Sequence, residues 1–226
     1  MSRRDLIDPE SRLPLDQLLA VMPGGFNAIP DIVARREAAA QMRAAVEVPP
    51  NPNVTHEDAA ELGFDPGRLA VYGGSAGGGL TIAVVLLARD RGFPAIRFQM
   101  PIYPMIDDAN ETASSHEITD IGVWDRAANV EAWQWYLGGG KPDQYAAPAR
   151  AEDLSGLPPA FIDVGTLDLF RDEDITFAMR LMQAGVPTEL HVNPGAYHAA
   201  EILAPQAALA GQIWERRFGA LRRALA

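Results

Sequence analysis

The stretch Val71-Tyr72-Gly73-Gly74-Ser75-Ala76-Gly77-Gly78-Gly79-Leu80 constrains this chain more than any other. Before it, Arg68 to Tyr72 is a short apolar run with the length and residue types of a buried strand. After it, Leu80 to Arg89 is rich in Ala and Leu and reads as a helix. Between them lies Gly73-x-Ser75-x-Gly77, a serine between glycines at a strand-to-helix turn. A turn this tight forces the serine into strained backbone angles, and residues without Cβ are expected on either side of it. Such a turn holds the Ser75 hydroxyl above the sheet, where the following helix directs its free N–H groups and positive dipole end. The competing reading is a phosphate cradle. No G-K-[ST] follows, and the glycine spacing is not G-x-G-x-x-G with an acid beyond the next strand, so nucleotide binding is disfavoured.

A serine at its ordinary pKa is a weak nucleophile; it needs a base in contact and a third group to orient that base. In parallel α/β sheets, reacting groups collect at the carboxyl ends of strands. Further strands are predicted at Ile96–Tyr103, Pro159–Val164 and Thr188–Asn193. Asp168 follows the third strand, and His198 follows the fourth after a turn at Pro194–His198. The order Ser75, Asp168, His198 is that of an α/β-hydrolase. Asp168 is preferred to Asp172 because it lies closer to the strand end. Asp172, Glu173 and Asp174 read as acids opening a helix at Ile175–Ala184. His198 is preferred to His191, which alternates within a strand, and to His56 and His116 in polar loops. Asp163 lies inside a strand. Four scattered His and no H-E-x-x-H leave no metal-ligand set.

The rest of the chain frames these residues. Asp5 to Val46 reads as helices, with Leu13, Leu15, Leu18, Leu19 and Val21-Met22 on one face and a second helix from Pro30 to Ala45. Pro49–Asn53 is an extended linker. Between Asp107 and Pro148 a polar loop leads to a helix carrying Trp124, Val130, Trp133, Tyr136 and Leu137, stopped by Gly138-Gly139-Gly140. Three of the four Trp fall here, which suits a pocket wall and equally a packed core. A closing amphipathic helix is predicted at Gln206–Ala224.

At 226 residues the chain can bury a full core. A net charge of −11 argues against nucleic acid and against anionic membrane surfaces. The absence of Cys excludes disulfides, thiolate metal sites and a cysteine nucleophile. The charged amino terminus has no apolar run behind it, so no signal peptide is expected. No stretch is long enough to span a bilayer, and a cytoplasmic protein is the default expectation.

These segments together resemble the hormone-sensitive-lipase-like branch of α/β-hydrolase carboxylesterases. Gly73-Gly74-Ser75-Ala76-Gly77-Gly78 is similar to its G-D-S-A-G-G motif, with Gly74 in place of the aspartate. Gly165-Thr-Leu-Asp168-Leu-Phe-Arg-Asp172-Glu173 is similar to its acid motif, and Ala184 to His198 to its histidine segment. The resemblance implies a mainly parallel sheet with flanking helices and a helical cap. The expected division is cap helices and linker at 1–58 and a core at 59–226, with a cap insertion at about 107–150. It implies hydrolysis of small acyl esters by Ser75, His198 and Asp168, with the Ala76 N–H as an oxyanion donor and no cofactor. Members of the family also carry an H-G-G-G loop that supplies oxyanion N–H groups. This chain has no H-G-G-G, and Asp58 runs straight into Ala59 where that segment and several strands belong. The nucleophile strand should then lack a neighbour on one side, exposing an edge that invites pairing with a second copy.

Overall fold

The computed structural model describes residues 2–23, 63–121 and 123–226. The expected second helix, the 49–53 linker, the 58–59 junction and His56 lie outside the described residues.

Among the described residues four strands form one parallel sheet: β1 (Ala70–Gly74), β2 (Phe98–Ile102), β3 (Ala160–Leu167) and β4 (Thr188–Tyr197), in spatial order β1-β2-β3-β4. Helix α1 (Pro9–Val21) precedes the sheet, and α2 (Ala76–Arg91) connects β1 to β2. Helices α3 (Ala113–Glu117) and α4 (Arg126–Leu137) lie between β2 and β3, and α5 (Arg171–Gln183) between β3 and β4. The short α6 (Ala200–Leu203) and the long α7 (Ala208–Leu225) close the chain. Parallel neighbours need crossovers, and the helices between the strands supply them.

Period-two alternation sorts most strand residues to the two faces, with Val164 of β3 the exception among those named. Ala160 and Ile162 pack with Ile82, Val85 and Leu86 of α2 and Phe177 and Leu181 of α5. Phe161 and Val164, with Phe98, Met100 and Ile102, pack against Ala220 of α7. Each fully buried Ile, Leu or Phe contributes about 1.5–3 kcal/mol of transfer free energy. A third cluster lies apart from these two, where Ile7, Leu15, Met105, Trp133, Leu167, Phe170 and Tyr197 meet.

Several expected boundaries move. β1 begins two residues later than predicted and runs to Gly74, delivering the chain straight to Ser75. β2 is shorter than Ile96–Tyr103. β4 does not end at Asn193: Pro194-Gly195 is an irregularity inside the strand, where Gly195 takes φ +77° and donates its N–H to Thr166 Oγ1 at 2.9 Å. Pairing resumes at Leu167 with Tyr197, so the strand carries the chain to the residue before His198. Helix α5 starts at Arg171, four residues earlier than predicted, and Trp124 precedes α4 instead of riding on it. In α1 only Leu15 of the expected apolar face is buried, and Leu13 and Val21 are exposed. Among the described residues β1 pairs with β2 alone, so its other edge has no described neighbour.

Candidate active site

Ser75 occupies the step between β1 and α2 with φ +59° and ψ −123°, a region that L residues rarely adopt. Its backbone is held on both sides: Ser75 N–H donates to Ile102 O at 2.9 Å, and Ser75 O accepts from Gly79 N–H at 3.1 Å and Met105 N–H at 3.0 Å. The glycine requirement differs from the simple expectation. A Cβ at Gly73 would collide with Gly77 O, one at Gly78 would come within 2.8 Å of Pro104 Cα, and one at Gly79 would strike Met105 O. A Cβ at Gly77 would meet nothing within 4 Å. At Gly78 and Gly79 the close approaches arise because α2 lies across the loop that leaves β2, so these two and Gly73, not Gly77, must lack side chains.

Asp168 and His198 reach the serine from neighbouring strand ends. His198 Nε2 lies 3.0 Å from Ser75 Oγ, and Nδ1 lies 2.9 Å from Asp168 Oδ2. Asp168 is fully buried, and its other oxygen accepts the Phe170 N–H at 3.1 Å. A carboxylate held this way fixes the imidazole tautomer, leaving Nε2 to face the hydroxyl. Three rings surround the imidazole: Tyr103 at 4.8 Å and Phe170 at 5.3 Å, both edge-on, and Trp124 at 6.4 Å between centroids. Ala76 opens α2, so its N–H is one of the four without an acceptor inside the helix.

The other candidates lie elsewhere. Asp172 accepts from Ser114 N–H at 2.8 Å and pairs with Arg171; burial pushes its carboxyl up, but these bonds outweigh it and hold it below the usual range. His191 bonds Glu189 at 2.8 Å and lies against Phe161, and His116 is exposed beside Glu111. Among the described residues no group of three or more His, Asp or Glu could hold a metal ion, and no helix is long and apolar enough to cross a membrane.

An apolar cavity of about 220 Å³ opens beside Ala76, lined among others by Leu80, Met105, Trp133, Tyr136 and Tyr145. Trp133 is therefore both core and pocket wall. Sequence reasoning missed a buried polar group beside His198: Tyr103, Asp163, Glu201 and Arg217. Arg217 shares a helical face with Ile213 and Ala220, four residues before it and three after, and that spacing was the available signal.

A sequence model of the alpha/beta hydrolase fold family matches residues 32–202. Carboxylesterase NlhH of Mycobacterium tuberculosis is 38% identical over 175 residues, covering 75% of this chain and 54% of that protein. Esterase LipI of the same species is 39% identical over 138 residues, covering 60% of this chain and 43% of that protein. Among solved structures, a bacterial heroin esterase superposes with a TM-score of 0.73 at 43% identity, over 76% of this chain and 56% of that one. An esterase of the bacterial hormone-sensitive lipase family gives 0.69 at 28% identity, over 76% and 58%. The chain spans about half the length of the curated relatives it matches. It belongs to the alpha/beta hydrolase fold family.

Proposed function

We propose that this protein hydrolyses carboxylic esters of small acyl groups, as a member of the hormone-sensitive-lipase-like branch, and that Ser75, His198 and Asp168 are its catalytic residues. The observation that carries this reading is the continuous hydrogen-bonded chain from Ser75 Oγ through His198 to Asp168 Oδ2. His198 Nε2 takes the hydroxyl proton as Ser75 Oγ attacks the ester carbonyl, and Asp168 stabilises the imidazolium. The Ala76 N–H donates to the developing oxyanion. The imidazolium then protonates the departing alkoxide, leaving an acyl group on Ser75. Water activated by the same imidazole releases the acid. The apolar cavity beside Ala76 suits an uncharged acyl chain, and the segment at about 107–150 supplies its outer wall as part of a cap. The chemistry requires no cofactor.

The missing H-G-G-G loop enters this proposal as a cost. Loss of a single oxyanion donor slows such reactions about 10²–10³-fold. The absence of that loop also favours a second reading, a catalytically impaired protein of the same fold that binds ligands or partners, a second copy of the chain through β1 among them. Hydrolysis of p-nitrophenyl acetate by the purified chain separates the two. Turnover that disappears in Ser75→Ala supports the esterase. Equal background rates in both proteins favour the binding reading.

A further inference from the structure

His198 has little local structure to hold it. The next residue, Ala199, takes φ +59°, and α6 then lasts only four residues. A single helical turn does not sustain itself in water, so its position depends on its tertiary anchors. The polar anchor is Glu201, three residues after His198, whose buried carboxylate Oε1 accepts from the Tyr103 hydroxyl and from an Arg217 nitrogen, both at 2.7 Å. Arg217 in turn grips Asp163 of β3 through two bonds at 2.7 and 2.9 Å. Asp163 O accepts the Tyr103 N–H at 2.7 Å, which closes the loop. The Arg217 guanidinium also lies over the Tyr103 ring at 5.5 Å.

The network thus joins β3, α6, α7 and the residue after β2, and one of its members touches the imidazole. Tyr103, itself at φ +32°, presents its ring edge-on to His198. We propose that Glu201 is a positioning residue for His198, acting through the Tyr103 ring and through α6, with Arg217 and Asp163 fixing Glu201 in place. This rests on the reading of Ser75, His198 and Asp168 as catalytic. In the free-standing fold a buried ion pair need not add stability, since its desolvation can cancel the attraction. A role in holding geometry accounts for its place here. Misplacement of a catalytic group by about 1 Å costs about 10²-fold in rate.

Three full-length variants test it: Glu201→Ala, Glu201→Gln and Tyr103→Phe. Each is measured well below its melting temperature for kcat and KM on p-nitrophenyl acetate, and by proton NMR for the low-field signal of the His198 Nδ1–H, assigned by its loss in His198→Gln. Glu201→Ala should lower kcat about 10²-fold with KM nearly unchanged, and should shift or broaden the low-field signal. Glu201→Gln keeps an acceptor oxygen and should recover most of both. Tyr103→Phe keeps the ring but cuts its bond to Glu201, and should lower kcat severalfold. If Glu201→Ala fails to fold, Tyr103→Phe decides the matter alone. Folded variants with the wild-type signal and wild-type kcat would overturn the proposal. The NMR signal remains readable if the wild-type chain hydrolyses no ester, so failure of the esterase reading is seen separately from failure of the positioning role.

Discussion

Asp163 and Glu201 are buried around a guanidinium, whereas Glu173 and Asp174 are buried on the first turn of α5 itself, with no cation bonded to either among the described residues. In the first pair every close contact is charge-assisted, and Arg217, held through three nitrogens, keeps its proton more tightly than a free arginine. In the second pair Glu173 Oε1 accepts the N–H groups of Ile106 and Asp107 at 3.0 and 3.2 Å, and both oxygens of Asp174 are without a partner. Burial, then the neighbouring carboxyls, push Asp174 well above the usual carboxylate range; burial also pushes Glu173 up, against the pull of the Ile106 N–H. The difference separates two ways of placing acids in a core. One wraps a cation, whose bonds to Asp163 oppose the upward push of burial on that carboxyl, and so fixes geometry beside His198. The other holds its protons to higher pH than free carboxyls do: Glu173 pins the loop whose Met105 N–H holds Ser75 O, and the Asp174 carboxyl bonds nothing among the described residues.

The largest effect is expected from removing the cation. Arg217→Met leaves two buried carboxylates uncompensated and should cost about 3–5 kcal/mol in urea unfolding. A loss under about 1 kcal/mol would mean that the first pair is not ionised as argued. Glu173→Ala should cost about 1–3 kcal/mol by stranding two backbone N–H groups, and Glu173→Gln distinctly less. Equal costs would show that the charge of Glu173, not its acceptor oxygen, matters.

Asp174→Asn gives the smallest effect near pH 5, where the buried carboxyl still holds its proton, and the most diagnostic trend. In the unfolded chain this carboxyl ionises near its ordinary value of 3.8, while the buried one keeps its proton to higher pH. Between the two the folded state binds the extra proton, so the contribution to stability falls as pH rises. It is flat below the unfolded value and flat again above the folded one. Measured from about pH 5 upward, wild type should lose about 1.4 kcal/mol per pH unit relative to the Asn variant. A difference that does not change with pH would show that Asp174 is ionised in the fold.

The sequence made the three residues proposed as catalytic legible because each sits where a strand of the parallel sheet ends. Ser75 has its glycines, and Asp168 and His198 follow strands with short connections. What stayed hidden depends on tertiary burial. Arg217 lies on the apolar face of its helix, but only the packing of α7 on β3 shows its carboxylate partners, and Glu173 and Asp174 read as acids opening a helix until α5 turns them inward. Pro194-Gly195 reads as a turn, because a strand that continues through an irregularity has the same local composition as one that stops. Trp124 reads as part of the helix that carries Trp133, but Asp125 caps α4 one residue later.

The most direct measurement is the mass of the intact chain after exposure to a fluorophosphonate, followed by peptide mapping of any adduct. An adduct on Ser75 that is absent in Ser75→Ala and strongly slowed in His198→Gln is the predicted result, because only a serine with a base in contact attacks such a reagent. No adduct, or one that forms equally fast without His198, would contradict the claim that this hydrogen-bonded chain activates Ser75.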